Sequence, residues 1–239
     1  DSMDARVHAL ARVFRDTDIV GVDPLTFLLH LPETNFELSL IGLSEMLGKP
    51  SDLFDRYKSY YWTKEPGMLK TYPGISDLLK AFVGRDVPLA LVTQKARSFQ
   101  IEGVAAGVSV KLEELGLTGI FPVVVGIEDV QETKPHPEGI LKALAHFGVQ
   151  PEHALMGGDT VTDIEAARAA GCWSCLATWG VPDGASRAER ANADLVGRYS
   201  GRTLGATFRQ LKLALSLLSC LCHLQHFLSE GRHAFQHPC

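Results

Sequence analysis

The first third of the chain repeats its apolar residues at helical spacing. Val7, Leu10, Ala11 and Phe14 fall on one face of residues 3–15 and predict an amphipathic helix. Leu38, Leu40, Ile41, Leu43, Met46 and Leu47 form a second apolar set, which Gly48 and Pro50 end. Leu53, Tyr57, Tyr60, Tyr61 and Trp62 form a third, and after a Pro73-Gly74 turn residues 75–82 begin another helix. No strong strand pattern occurs in this stretch. Beyond residue 80 the pattern changes. Residues 87–93 (Val-Pro-Leu-Ala-Leu-Val-Thr) and 121–127 are continuous apolar runs of strand length, as buried parallel strands require. Residues 153–158 and 174–178 predict two more strands, and 194–196 a short fifth. Helical patterns separate them: residues 94–115, 137–147 and 163–170, the last closed by Gly171.

Strands that alternate with helices imply right-handed crossovers and a parallel sheet covered on both faces, an α/β Rossmann-like core. The expected division is a core of residues 1–15 and 79–200, a helical module of residues 16–78, and a helical tail from 201 to 239. Open sheets of this kind bind ligands at the carboxyl ends of their strands. Thr93, the loop from Glu128 to Lys134, and Asp159 all fall at such ends.

Composition narrows the class without naming a function. Apolar residues make up 46% and charged residues 21%, ordinary for a globular chain. A net charge of −5 and the lack of a dense basic run argue against nucleic acid as the main partner. The five cysteines lack the spacing of a secreted disulfide framework, and no apolar signal segment follows Asp1-Ser2-Met3-Asp4, so a cytoplasmic setting is expected. Residues 211–228 are apolar-rich but carry Lys212, Gln225 and two histidines, which favours an amphipathic helix over a membrane span.

The candidate chemistry lies in Gly158-Asp159-Thr160-Val161-Thr162-Asp163-Ile164. Two carboxylates stand four residues apart where a strand passes to a helix, beside backbone amides. Asp159 belongs at the strand tip, with glycines before it that allow close backbone approach, and Asp163 is expected to cap the helix. Mg2+ takes one or two carboxylates plus phosphate oxygens and water, and this pair suits it. Lys134 is framed by Pro135 and Pro137 on either side of His136, which stiffens its loop. Thr93 ends its strand with a hydroxyl that Gln94 and the following amides would orient towards a phosphate.

Together these segments resemble the haloacid dehalogenase superfamily, in particular its phosphoglycolate-phosphatase-like branch with a helical cap. Thr93 looks like the second motif of that family, Lys134-Pro135-His136-Pro137-Glu138 the third, and Gly158-Asp159-Thr160-Val161-Thr162-Asp163 the fourth. The resemblance covers about residues 1–200 and makes residues 16–78 the cap. It implies Mg2+-dependent hydrolysis of a small phosphorylated metabolite. It also implies that Thr93 binds the phosphoryl group, with Gln94 beside it, and that Lys134 neutralises the charge there. Asp159 would hold the metal, and Asp163 would support metal and lysine. These roles fit the electrostatics of phosphoryl transfer.

The family's nucleophile ends a strand in Asp-x-Asp-Gly-Thr, and no such segment occurs in these 239 residues. Asp1-Ser2 resembles the pair that follows it, so the expectation is that the nucleophilic strand precedes residue 1. Without it the chain should be nearly inactive, and neighbouring strands should keep unpaired edges. Between Thr93 and Leu117 the chain runs eight to nine residues longer than the family pattern. Residues 101–109 are the expected extra piece, read as a bulging loop because Gly103 and Gly107 suit a helix poorly.

Two alternative activities of the superfamily remain. A dehalogenase needs no metal, and Gly158-Asp159 argues against it; a phosphonatase needs a Schiff-base lysine in the cap, for which Lys49, Lys58 and Lys64 are candidates. A third alternative is a non-catalytic protein that retains the phosphate pocket. Tyr60, Tyr61 and Trp62 are read as packing in the cap or against the core, with one able to touch substrate. Cys172-x-x-Cys175 and the Cys/His residues of the tail (Cys220, Cys222, His223, His226, His233, His237, Cys239) are disfavoured as redox or zinc sites.

Overall fold

A computed structural model of the protein describes residues 2–30, 36–63, 67–178 and 192–197. The chain divides into two compact units, residues 1–133 and 134–239, and each is described by itself. The expected tail helix, its Cys/His residues, and Lys64 lie outside the described residues.

In the first unit five helices precede any strand: α1 (Met3–Asp16), α2 (Pro24–Leu29), α3 (Phe36–Leu47), α4 (Leu53–Trp62) and α5 (Ile75–Val83). α1 presents Ala5, Ala9, Leu10, Val13 and Phe14 to a core completed by Leu28, Leu40, Leu43, Leu53, Tyr57 and Tyr61. Ala5 and Ala9 let α4 approach closely, and Leu10, Val13, Leu40 and Leu53 are almost fully enclosed. Each such aliphatic side chain contributes about 1.5–3 kcal/mol by leaving water. α2 was not expected from apolar spacing, being only six residues long. Its signal is instead local: Asp23 accepts from the Thr26 amide at 2.7 Å and Pro24 occupies the first helical position.

The expected strand at 87–93 is present as β1 (Ala90–Val92), parallel to β4 (Val123–Val125), and the Thr93 amide continues the ladder by donating to Val125 O at 2.9 Å. The helix expected from residue 94 does not form there. The chain instead makes an antiparallel hairpin, β2 (Phe99–Ile101) and β3 (Val104–Ala106), and α6 begins only at Val108, ending at Glu114. Glu102 (φ +51°) and Gly103 (φ +77°) supply the two left-handed residues that a two-residue hairpin turn demands. The anticipated bulging loop is therefore an ordered hairpin. Its base is closed, since Val108 N donates to Ala96 O and Ser109 N to Arg97 O, both at 3.0 Å. Gly107 (φ +116°) is required at this base, because a Cβ there would lie 2.4 Å from Arg97 O.

The second unit holds α7 (Glu138–Phe147), β5 (Leu155–Gly158), α8 (Val161–Ala170), β6 (Trp173–Ala177) and β7 (Leu195–Gly197). The three strands form a parallel sheet in the order β5-β6-β7. Pro151 starts a 3-10 turn over residues 151–153, so His153, expected to open the strand, lies in that turn and β5 begins at Leu155. Ile164 and Leu176 anchor α8 to this sheet, both fully enclosed. Among the described residues β1 pairs only with β4 and β5 only with β6.

Candidate active site

Asp163 is the centre of the second unit's polar site. Its side chain is 6% exposed and that of Lys134 13%, and Lys134 Nζ donates to Asp163 Oδ1 at 2.6 Å. Oδ2 accepts from the Asp159 amide at 3.2 Å, the Thr160 amide at 3.1 Å and Thr160 Oγ1 at 2.7 Å. One buried carboxylate thus holds the lysine with one oxygen and shapes the loop after β5 with the other. Charge-assisted bonds of this kind are the strong ones, and they are what makes burial of both charges tolerable.

The sequence placed Asp163 as the helix cap, and the structure corrects this. Thr160 is the N-cap of α8 and accepts from the Asp163 amide at 3.2 Å, while Asp163 answers from the third helical position. The two form a reciprocal capping box. The spacing Thr160-x-x-Asp163 was the available signal. Gly158 is fixed by the same contact, because a Cβ at that position would lie 2.3 Å from Asp163 Cβ.

Asp159 sits at the tip of β5 and is exposed. Its carboxylate is a hard oxygen donor of the kind Mg2+ accepts, whereas both Asp163 oxygens already carry hydrogen bonds. Among the described residues no group of three or more acidic, His or Cys side chains gathers as a ready-made metal cage. A metal held here would take Asp159 and complete its shell with phosphate oxygens and water, the usual manner of Mg2+.

Thr93 and Gln94 belong to the first unit. Thr93 is half-buried at the end of β1, and its Oγ1 accepts from the Lys95 amide at 3.2 Å. Arg97 ties this loop to the one after β4: its amide donates to Glu128 Oε1 at 2.8 Å and its guanidinium pairs with Asp129 at 2.9 Å. Glu128 is held below the ordinary glutamate pKa by its own backbone amide and by Arg97.

Sequence reasoning missed a further cluster in this unit. Tyr61 is 4% exposed, and its hydroxyl meets Lys95 Nζ at 3.3 Å and Lys111 Nζ more closely still. Burial pushes the phenol's pKa up, but the two ammonium groups and their hydrogen bonds outweigh it and hold the value down at about 8. Lys95 lies two residues from Thr93, which was the only hint in the sequence.

Cys172 and Cys175 are buried free thiols, each pushed up to about 11 by burial, with Glu152 adding to the effect at Cys172. Neither is a thiolate at neutral pH, which agrees with the reading against redox or metal chemistry.

A family model described as haloacid dehalogenase-like hydrolase matches residues 1–177. The chain belongs to the haloacid dehalogenase-like hydrolases. Within that family, curated phosphoglycolate phosphatases from Shigella boydii and Salmonella typhimurium are 40% and 41% identical over 128 residues, 54% of this chain and 46% of theirs. The chain therefore spans about half the length of these relatives. A Haemophilus somnus structure described as a predicted phosphoglycolate phosphatase aligns with a TM-score of 0.66 at 21% identity, covering 82% of this chain and 87% of that one. The β-phosphoglucomutase of Clostridium difficile aligns at 0.60 and 19% identity, covering 90% and 92%. At such identities the structures establish the α/β Rossmann-like fold of the haloacid dehalogenase-like family and no more.

Proposed function

We propose that the protein is by descent a Mg2+-dependent phosphatase of small phosphomonoesters, phosphoglycolate-like in substrate, and that these 239 residues bind such esters without turning them over. The observation that carries this reading is the Lys134–Asp163 pair, in which the carboxylate that holds the ammonium also accepts from the Asp159 amide. Lys134 neutralises the charge of the phosphoryl oxygens, and Asp163 fixes its position. Thr93 donates its hydroxyl to a phosphoryl oxygen, with Gln94 alongside. Asp159 holds Mg2+, which when bound withdraws charge from the phosphate; Asp163 supports that loop through its amides. The reading takes residues 16–78 as the cap and residues 1–15 and 79–200 as the core.

No Asp-x-Asp-Gly-Thr segment is present to form an aspartyl-phosphate, hence the expectation of binding without turnover. The test compares Mg2+-dependent hydrolysis of p-nitrophenyl phosphate by this chain and by the same chain with an apolar strand ending Asp-x-Asp-Gly-Thr placed before Asp1. Turnover only in the second supports the reading. Equal, robust turnover by both overturns the claim that the nucleophile is lacking. Absence of phosphate-ester binding by either overturns the phosphatase assignment itself. No helix among the described residues is long and apolar enough to cross a membrane.

A further inference from the structure

A hydroxyl binds a phosphoryl oxygen well only if its backbone is already in place. Thr93 is followed by residues 94–98, which form neither helix nor strand, and Gln94, Lys95, Arg97 and Ser98 are exposed. Hydrogen bonds and ion pairs must therefore do what packing does elsewhere, and Arg97 gathers them. Its amide donates to Glu128 Oε1 at 2.8 Å, and its carbonyl accepts from the Ser109 amide at 3.0 Å. Its guanidinium meets Glu128 Oε1 through Nε at 3.3 Å and Asp129 Oδ1 through Nη2 at 2.9 Å. Two glycines make room for it. A Cβ on Gly107 would lie 2.4 Å from Arg97 O, and one on Gly126 would lie 3.0 Å from Arg97 Cγ and 2.4 Å from Glu128 Oε2.

These contacts join the loop after β1 to the loop after β4. The Thr93 amide donates to Val125 O at 2.9 Å and the Ile127 amide to Lys95 O at 3.2 Å, so backbone bonding runs on past both strand ends and Arg97 closes it. Asp129 secures the far side, since its Oδ2 accepts from the Gly126 amide at 2.8 Å. The side chains of Arg97, Glu128 and Asp129 are 46%, 37% and 26% exposed, and ion pairs so open to water add little to stability. Their effect is directional. A guanidinium is a planar fork, and two carboxylates of one loop bonded to it fix that loop's orientation against its own.

We propose that Arg97 is a positioning residue for the phosphate site: clamped to Glu128 and Asp129, it holds the loop after β1 so that Thr93 presents its hydroxyl to the phosphoryl group. This rests on the phosphomonoester reading above and adds the residue that aims one of its ligands. Arg97 acts through Thr93 and makes no contact with the ester itself.

The test has two readouts on the 239-residue chain: calorimetric titration with ethyl phosphate in the presence of Mg2+, and amide hydrogen exchange without ligand. Arg97→Met should weaken ethyl phosphate binding about threefold to tenfold, the worth of one misdirected hydrogen bond. In a Thr93→Val background the same change should cost less than about twofold, because no hydroxyl is left to aim. Arg97→Met should also speed exchange of the Lys95 amide, which donates to Thr93 Oγ1 at 3.2 Å, while the amides of α1 exchange as before. Glu128→Ala, which removes the acceptor of both the Arg97 amide and its guanidinium, repeats the test should Arg97→Met fail to fold. Unchanged affinity in Arg97→Met, unchanged exchange at Lys95, or an equal loss with and without the Thr93 hydroxyl overturns the positioning role and leaves the phosphatase reading intact. If the unaltered chain binds no ethyl phosphate, the phosphatase reading falls and the positioning role falls with it, whatever the exchange shows.

Discussion

Replacing Asp163 by asparagine tests the candidate site most directly. The substitution keeps a side-chain oxygen that accepts from the amides of Asp159 and Thr160, so the cap of α8 survives, but it removes the charge facing Lys134. The pair is short, at 2.6 Å, and the two side chains are 13% and 6% exposed, so the ammonium left behind cannot simply rehydrate. Removing one partner of such a pair costs about 3–5 kcal/mol. Asp163→Ala keeps the Thr160 cap but also loses the hydrogen bonds that the Asp163 carboxylate accepts from the loop, so Asp163→Asn should fall at the low end of that range and Asp163→Ala about 1 kcal/mol further down. At about 2–4 °C per kcal/mol for a chain of this size, Asp163→Asn should melt roughly 6–12 °C lower. Adding Lys134→Met to Asp163→Asn removes the stranded charge, so the double variant should recover at least about 1 kcal/mol relative to the sum of the single losses. Urea unfolding followed by far-UV circular dichroism measures the unaltered protein, Asp163→Asn, Asp163→Ala, Lys134→Met and the double variant. A loss below about 1 kcal/mol for Asp163→Asn, or strict additivity, would refute the view that a buried ion pair organises the loop after β5.

The Tyr61 phenol should titrate near 8, seen as absorbance at 295 nm, and Lys111→Met should move its midpoint upward; a midpoint at or above 10 in the unaltered protein contradicts the cluster's electrostatics. Because the folded value is depressed below the unfolded one, near 10, this group adds stability as pH rises from about 8 to 10 and adds none below that window. Gly158→Ala should cost more than the about 1–3 kcal/mol of ordinary overpacking, since its Cβ would meet Asp163 at 2.3 Å, and should weaken phosphate-ester binding; a stable variant with unchanged affinity argues against the close approach. Deleting residues 99–107 to join Ser98 to Val108 should leave a folded protein, with stability lower by about 1–2 kcal/mol for the lost ring contact and hydrogen bond to α4. Trp62 emission should shift on deletion, and an unfolded product would count against the hairpin being self-contained.

Much of the fold was readable because period and length agree in this chain. The apolar runs ending at Thr93 and Gly158 are too short for helices and too continuous for exposed strands, and both are parallel strands. What was missed has local or three-dimensional causes. α2 rests on a cap and a proline rather than on periodicity. The hairpin follows from two left-handed residues at Glu102 and Gly103, which a reading based on helix breakers sees only as disruption. Asp163 was found as a carboxylate but misplaced as the cap, because Thr160 does the capping from three residues earlier. The meeting of Tyr61 with Lys95 and Lys111 could not be read at all, since 34 and 50 residues separate the partners along the chain.

The hairpin returns the chain to a hydrogen bond's distance from where it left, so its tip can change length without stretching the strand that ends in Thr93. Yet it is not idle surface. Glu102 accepts from Ser59 Oγ at 2.7 Å, and the Phe99 ring stands edge-on to Trp62 with centroids 5.1 Å apart. Ser59 and Trp62 lie on the same helix as Tyr61. The segment is therefore a handle: a peptide grafted at Glu102–Gly103 would pull first on the helix that carries Tyr61. A ligand-responsive insert placed there would report through that phenol's ultraviolet absorbance, which makes the hairpin tip the natural port for turning this protein into a sensor.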